Sequence, residues 1–202
     1  MLTVPDHIRG LIFDFDGTLA DTMPLHWRAW RYIMAKHRFH FTEERFYSLG
    51  GVPSRDILRA LSQEQELTFD PLIVAHDKEQ EYLQLLSEVE PIEELVGLAR
   101  ANHGVRPLAV ATGGTRRVIE RVLEHLGIRF LFAAVVTSED VVNQKPAPDI
   151  FLEAARRIGI PPAQCRAFED TDLGLEAIRR AGMEAVDVRA VLSPTRALPG
   201  VG

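Results

Sequence analysis

Asp14 and Asp16 stand one residue apart in "RGLIFDFDGTLADT", Arg9 to Thr22, at the end of an apolar run. Gly10 to Phe15 reads as a buried strand, with Gly17 and Thr18 as the turn that ends it. Side chains alternate along a strand, so both carboxylates are expected on one side at its carboxyl end. Carboxylates held that close repel, and an unpaired buried charge is costly, so a cation should sit beside them. The plainer alternative is one turn cap and one solvated neighbour. Three later stretches carry complementary chemistry. "ATGGT" sets the Thr112 hydroxyl, Gly113 and Gly114 at a helix start. Glycines let backbone N–H groups approach an anion and the helix dipole favours it, although Thr-Gly-Gly is also ordinary turn chemistry. In "NQKPAPD", Pro146 and Pro148 stiffen the backbone just after Lys145, which suits an organised point charge. "FEDTDLG" supplies Glu169 and Asp170, and oxygen ligands from two strand ends suit a hard cation such as Mg²⁺. Carboxylate pair, phosphate cradle, lysine and second carboxylate pair together make phosphoryl-transfer equipment.

These residues can meet only if four strand ends converge. The strands "RPLAVAT", "AAVVT", "QCRAFED" and "EAVDVR" alternate with expected helices over Ile92–His103, Thr115–Leu126, Asp149–Ile158 and Leu173–Ala181. That alternation predicts an α/β fold, a Rossmann-like doubly wound parallel sheet with helices on both faces. Ligands of such sheets sit outside the carboxyl ends of the strands. Between the first strand and this series the sequence predicts only helices, over Pro24–Lys36, Thr42–Leu49, Ser54–Ser62 and Asp70–Ser87, and no strand in Asp21–Glu90. The expected organisation is a catalytic core of residues 1–20 and 91–202, interrupted by an all-helical cap over 21–90. Linkers near Leu19–Met23 and Val89–Ile92 suggest a hinge with a ligand cleft between the lobes. The Pro- and Gly-rich tail "SPTRALPGVG" is expected to fray.

Composition narrows the partners. With 202 residues, 46% hydrophobic and 26% charged, the chain has the make-up of a soluble globular protein. A net charge of −6 argues against bulk attraction to nucleic acid or anionic membrane. No segment reaches the roughly 18–20 apolar residues of a membrane span. A small phosphorylated metabolite is the expected partner, held by a local cationic site on an otherwise acidic monomer. Cys165 is the only cysteine, in a strand, and reads as a small buried residue. Neither a disulfide nor a signal sequence in "MLTVPDHIRG" is in view, so a cytoplasmic location is expected.

The stretches "DFDGTLADT", "ATGG", "KPAPDIF" and "FEDTDLGLEAIRRAGM" resemble, in order, the four signature motifs of the haloacid dehalogenase superfamily. More narrowly, with "HWRAW" in the insertion, the chain is similar to the β-phosphoglucomutase-like subgroup and to bacterial sugar phosphatases of the fructose-1-phosphate and 6-phosphogluconate type. The resemblance implies that Asp14 is a nucleophile that becomes an aspartyl phosphate. It makes Asp16 the general acid/base, with its backbone carbonyl on Mg²⁺. Thr112, Gly113 and Gly114 would hold the phosphoryl group, Lys145 would neutralise it and Asp14, and Asp170 with Glu169 would complete the metal site. The dehalogenating branch typically lacks the second aspartate, so Asp16 argues for phosphate chemistry. A cis Lys145–Pro146 bond is expected on the same grounds.

The insertion is expected to close over the cleft and exclude water. Arg55, at a helix start in "GGVPSRDILRAL", is placed like a subgroup arginine that grips a substrate's second phosphate. His26 and Lys78 are further candidate substrate contacts, against the plain reading of solvated helix residues. His37 and His40 have metal-like spacing but no further ligands, and read as surface histidines. The leading expectation is a Mg²⁺-dependent phosphatase of small sugar phosphates. A β-phosphoglucomutase-type hexose-phosphate mutase is the alternative, because the same aspartyl phosphate can return its phosphoryl group to a sugar. A non-catalytic phosphate-sensing module shares Asp, Thr, Lys and Mg²⁺ but lacks the acid/base pairing and the helical insertion.

Overall fold

The computed structural model describes residues 3–192, so the tail "SPTRALPGVG" lies outside the described residues. In chain order the first elements are β1 (Gly10–Phe13), β2 (Ala20–Asp21), α1 (Met23–His37), α2 (Glu43–Ser48), α3 (Ser54–Glu64), α4 (Pro71–Gln84) and β3 (Glu90–Pro91). They are followed by α5 (Glu93–Asn102), β4 (Leu108–Ala111), α6 (Arg116–His125), β5 (Ala134–Val136), α7 (Asp149–Ile158), β6 (Cys165–Glu169), α8 (Asp172–Arg180) and β7 (Glu184–Asp187). Five strands form one sheet in the order β5-β4-β1-β6-β7, every neighbouring pair parallel. β1 lies at its centre, with Phe13 opposite Val110 on one side and Phe168 on the other. A central parallel strand is buried on both faces and therefore reads as a continuous apolar run, as "GLIF" and "LAVA" do.

The alternation within each strand feeds two cores. Leu11, Phe13 and Phe168 pack with Leu95, Val96, Val122 and Leu123 on the α5 and α6 face. Ile12, Ala109, Ala111 and Ala167 pack with Ile150, Phe151, Ala154 and Ile178 on the other. The helical insertion has its own apolar cluster, including Trp30, Ile33, Phe41, Phe46, Leu58 and Leu61. Each such fully buried Leu, Ile or Phe stabilises the fold by roughly 1.5–3 kcal/mol. No helix among the described residues is long and apolar enough to cross a membrane.

Three expectations need correction. The linkers are not bare: β2 and β3 pair antiparallel, Ala20 opposite Pro91 and Asp21 opposite Glu90, which ties the two ends of the insertion together. Strands of two residues have no periodicity to read, and this pairing joins segments far apart in sequence. Helix α4 stops at Gln84, and Leu86–Glu88 continues as a 3₁₀ turn. The first strand ends at Phe13, short of Phe15; the Asp14 N–H still donates to the Phe168 carbonyl, at 2.9 Å, before the chain turns at Gly17 with φ of 80°. The two aspartates therefore do not continue one strand face.

Candidate active site

Asp14 emerges at the carboxyl end of β1, between the ends of β4 and β6. Lys145 reaches it from the loop after β5: its Nζ donates to Asp14 Oδ1 at 2.6 Å and to Glu169 Oε2 at 2.7 Å. The Lys145–Pro146 bond is cis, as the resemblance implied. Glu169 ends β6, and its Oε1 accepts from the backbone N–H groups of Asp170 (3.0 Å) and Thr171 (2.9 Å) and from the Thr171 hydroxyl (2.9 Å). Asp170 accepts from Thr18 Oγ1 at 3.2 Å. A Cβ on Gly17 would overlap the Asp170 carboxylate, so the turn that carries the chain out of β1 also makes room for β6's acid.

Carboxylate oxygens of Asp14, Glu169 and Asp170 lie within 4.8 Å of one another, all three residues buried. Against three carboxylates stands one ammonium, so the cluster holds uncompensated negative charge. Burial, and then Glu169, pushes the Asp14 carboxyl well above the usual range; burial, Glu169 and Asp14 do the same to Asp170. Burial opposes the Lys145 charge, but Asp14 and Glu169 outweigh it and raise the lysine's pKa. Oxygen donors with surplus negative charge fit a hard divalent cation. Glu169 is the most committed of the three, since both its oxygens already accept hydrogen bonds.

The Asp16 side chain is not part of this cluster, which corrects the expectation that the aspartates sit side by side over one cation. It turns toward the insertion instead. Thr22 Oγ1 donates to Asp16 Oδ1 at 2.6 Å, and His26 Nε2 lies 3.1 Å from the same oxygen. Lys78 Nζ lies 2.8 Å from His26 Nδ1. An ammonium only donates, so Nδ1 accepts and the imidazole proton sits on Nε2, pointing at Asp16. The His26 ring stacks on Tyr82 at 3.9 Å between centroids. Burial works to raise the Asp16 carboxyl, yet His26 and Thr22 hold it below the usual range. Burial lowers Lys78 to about 8. His26 and Lys78 are thus engaged with Asp16 rather than solvated on a helix surface, and Lys78 is only 4% exposed. Thr22, the third member, carried no signal: a threonine before a helix reads as an N-cap, and this one makes no cap bond.

A cavity of about 260 Å³ lies between the strand ends and the insertion, lined by Asp14, Asp16, Thr112, Gly113 and Gly114 on one side and by His26, Arg55 and Lys78 on the other. The Gly114 N–H donates to Thr112 Oγ1 at 3.0 Å, and α6 starts directly after this loop. The insertion presses on it so closely that a Cβ on Gly113 would overlap the Gly51 carbonyl oxygen. Arg55 does not project freely: its Nη2 donates to the Ser138 carbonyl at 3.2 Å, and Nε is 3.9 Å from Asp56. His37 and His40 share no ligand: His37 pairs with Asp77 and the His40 backbone with Gln65. Cys165 is buried, and burial pushes its thiol up to about 11, out of nucleophilic range.

Known proteins match this arrangement over nearly the whole chain. The fructose-1-phosphate phosphatase YqaB of Escherichia coli is 44% identical over 181 residues, 89% of this chain and 96% of the relative. The β-phosphoglucomutase of Bacillus subtilis is 29% identical over 191 residues, 90% of this chain and 83% of the relative. The crystal structure of β-phosphoglucomutase from Clostridium difficile superposes with a TM-score of 0.78 at 28% identity, covering 89% of this chain and 84% of that one. Residues 8–182 match the haloacid dehalogenase-like hydrolase family, and with the site geometry that match makes the protein a member of it.

Proposed function

We propose that the protein is a Mg²⁺-dependent phosphatase of small sugar phosphates, working in the cytoplasm through a phosphoaspartate on Asp14, with Asp16 as general acid/base. The observation that carries this reading is the opposite treatment of two aspartates one residue apart. Asp14 lies in an anionic, lysine-bridged cluster suited to a cation, while Asp16 lies outside that cluster, bonded to a hydroxyl and an imidazole of the insertion. Divergent environments of paired carboxyls mark divergent roles. The similarity to a fructose-1-phosphate phosphatase supports the substrate class.

In the first step an Asp14 oxygen bonds to phosphorus and the bond from phosphorus to the sugar oxygen breaks; that oxygen takes its proton from Asp16, whose carboxylate must first have picked one up from solvent. Lys145 stays on Asp14, and the Thr112 hydroxyl and the Gly113 N–H are the donors this loop would offer the phosphoryl oxygens, since the Gly114 and Thr112 N–H groups already donate to Thr112 Oγ1 and the Val136 carbonyl. In the second step Asp16 takes a proton from water as the water oxygen bonds to phosphorus, releasing Asp14 and phosphate. Thr22 and His26 fix Asp16 for both transfers. Asp14, Asp170, Glu169 and the Asp16 backbone carbonyl would hold Mg²⁺, which when bound neutralises charge on the transferring group. Enzymes of phosphate monoesters supply up to ~10²¹-fold acceleration, which requires these effects jointly.

The mutase reading has one observation in its favour, Arg55 on the cavity wall beside a fold shared with β-phosphoglucomutases. Its guanidinium already bridges to Ser138, which favours the phosphatase. Purified protein is to be given fructose 1-phosphate, and β-glucose 1-phosphate with glucose 1,6-bisphosphate, in Mg²⁺ or in excess chelator. Metal-dependent phosphate release that outruns isomerisation is expected. Full turnover in chelator, or isomerisation far outrunning hydrolysis and lost in Arg55→Ala, contradicts the reading.

A further inference from the structure

Three residues that line the cavity take no part in the phosphoryl chemistry above. Thr115 is the N-cap residue of α6, and a threonine there ordinarily accepts from the first-turn N–H groups. Here it makes no cap bond; the exposed Glu139 takes the Arg116 N–H instead, at 2.9 Å. The Thr115 hydroxyl oxygen is nevertheless buried, with no partner in hydrogen-bond geometry. Facing it from α4 is Glu79, a half-buried carboxylate close enough for Thr115 to hold it down, yet pushed up overall by burial. Glu79 forms no ion pair within 4.0 Å among the described residues; Lys78 and His76 are near enough to attract it and Glu139 to repel it. Glu79, Thr115 and Glu139 all line the cavity.

A carboxylate that only accepts and a hydroxyl that donates or accepts call for a ligand group that does both. A carbohydrate hydroxyl is such a group; a second phosphate dianion is not. The cations on the cavity wall are already committed, Lys78 to His26 and Arg55 to Ser138. His76, the remaining basic lining residue, is exposed and lies 3.4 Å from Gln80. Resting on the phosphatase reading above, we propose that Glu79 and Thr115 bind hydroxyls at the non-transferring end of the substrate, and that Glu79 with Glu139 makes the pocket select sugar monophosphates over sugar bisphosphates.

The test compares kcat/KM of the full chain for fructose 1-phosphate, fructose 1,6-bisphosphate and phenyl phosphate, in the wild type, Glu79→Gln and Thr115→Val. Wild type should favour the monophosphate over the bisphosphate by at least ~10-fold, and Glu79→Gln should narrow that ratio to within about threefold. Thr115→Val should raise KM for fructose 1-phosphate about fivefold more than KM for phenyl phosphate. A contact that merely closes the insertion on the core would move both sugar phosphates together, leaving the ratio where it was. An unmoved ratio in Glu79→Gln with no selective KM effect in Thr115→Val, or a wild type without preference, overturns the assignment while the phosphatase reading stands. A wild type that hydrolyses neither fructose 1-phosphate nor phenyl phosphate removes both.

Discussion

Asp14 and Asp16 are separated by one residue and share a buried cleft, yet their surroundings have opposite effects. Around Asp14 lie two more carboxylates and a single lysine, and its carboxyl is raised. Around Asp16 lie a hydroxyl, an imidazole and, behind it, an ammonium, and its carboxyl is lowered. The partners of Asp14 come from the ends of the central sheet, whereas those around Asp16 come from the start of the helical insertion and from its last helix, α4. Sequence spacing puts two acids within reach of one bond, while the elements packed on each side give them different partners, and on the proposed mechanism different roles. This difference also ties chemistry to closure, because the Asp16 network exists only while α1 and α4 lie over the core.

The largest expected effect removes the sheet side of this pair. Asp14→Asn should lower phosphate release by ~10⁴-fold or more, with an unchanged circular dichroism spectrum. An active Asp14→Asn protein would leave the two aspartates without distinct roles. Next comes Lys145→Met, which strips the ammonium that bridges Asp14 and Glu169 from a group of three buried carboxylates. It should cost ~3–5 kcal/mol in urea unfolding without metal, partly recovered by added Mg²⁺. A variant as stable as wild type in chelator would show that the cluster is not under charge strain.

On the other side, Asp16→Asn should reduce hydrolysis of sugar phosphates by ~10²–10⁴-fold. Formation of the phosphoenzyme should suffer much less with phenyl phosphate, whose leaving group needs no proton. Equal losses with both substrates would contradict general acid catalysis. The smallest effect is a change of pH profile. Burial lowers Lys78 to about 8, so the folded protein releases this proton before the unfolded chain does. Keeping Lys78 charged therefore costs stability below pH 8, and that cost fades as pH rises from about 8 toward the ordinary lysine range near ~10.4. The neutral amine holds His26 Nδ1 less firmly than the ammonium and no longer places a positive charge behind Asp16, so kcat/KM should fall on a limb near pH 8 that Lys78→Met abolishes. A limb that persists in Lys78→Met belongs to another group.

Much of the sheet side was legible because its residues sit in short contiguous motifs at strand ends. Asp14, Thr112, Lys145 and Glu169–Asp170 fall where the alternation of strands and helices places them. The network on Asp16 was not legible in this way. Its members Thr22, His26 and Lys78 come from a helix cap position and two helices, and no period links residues that meet only through tertiary packing. The direction of the Asp16 side chain was misread for a local reason, since the strand ends before it and the turn at Gly17 breaks the alternation. Thr115 and Glu79 were invisible for the complementary reason: each has an ordinary helical role by sequence, and only the absence of that role in the structure makes them informative.

The division of labour between the two aspartates is tested most directly by rapid quenching of wild-type protein, Asp14→Asn and Asp16→Asn with phenyl phosphate and Mg²⁺, followed by mass spectrometry of acid-stable digests. A phosphorylated peptide containing Asp14 is expected in the wild type. The same peptide should accumulate in Asp16→Asn, where the water step lacks its base, and be missing from Asp14→Asn. Phosphate on any other residue, or turnover by wild type with no phosphoenzyme and no loss in Asp14→Asn, would contradict it.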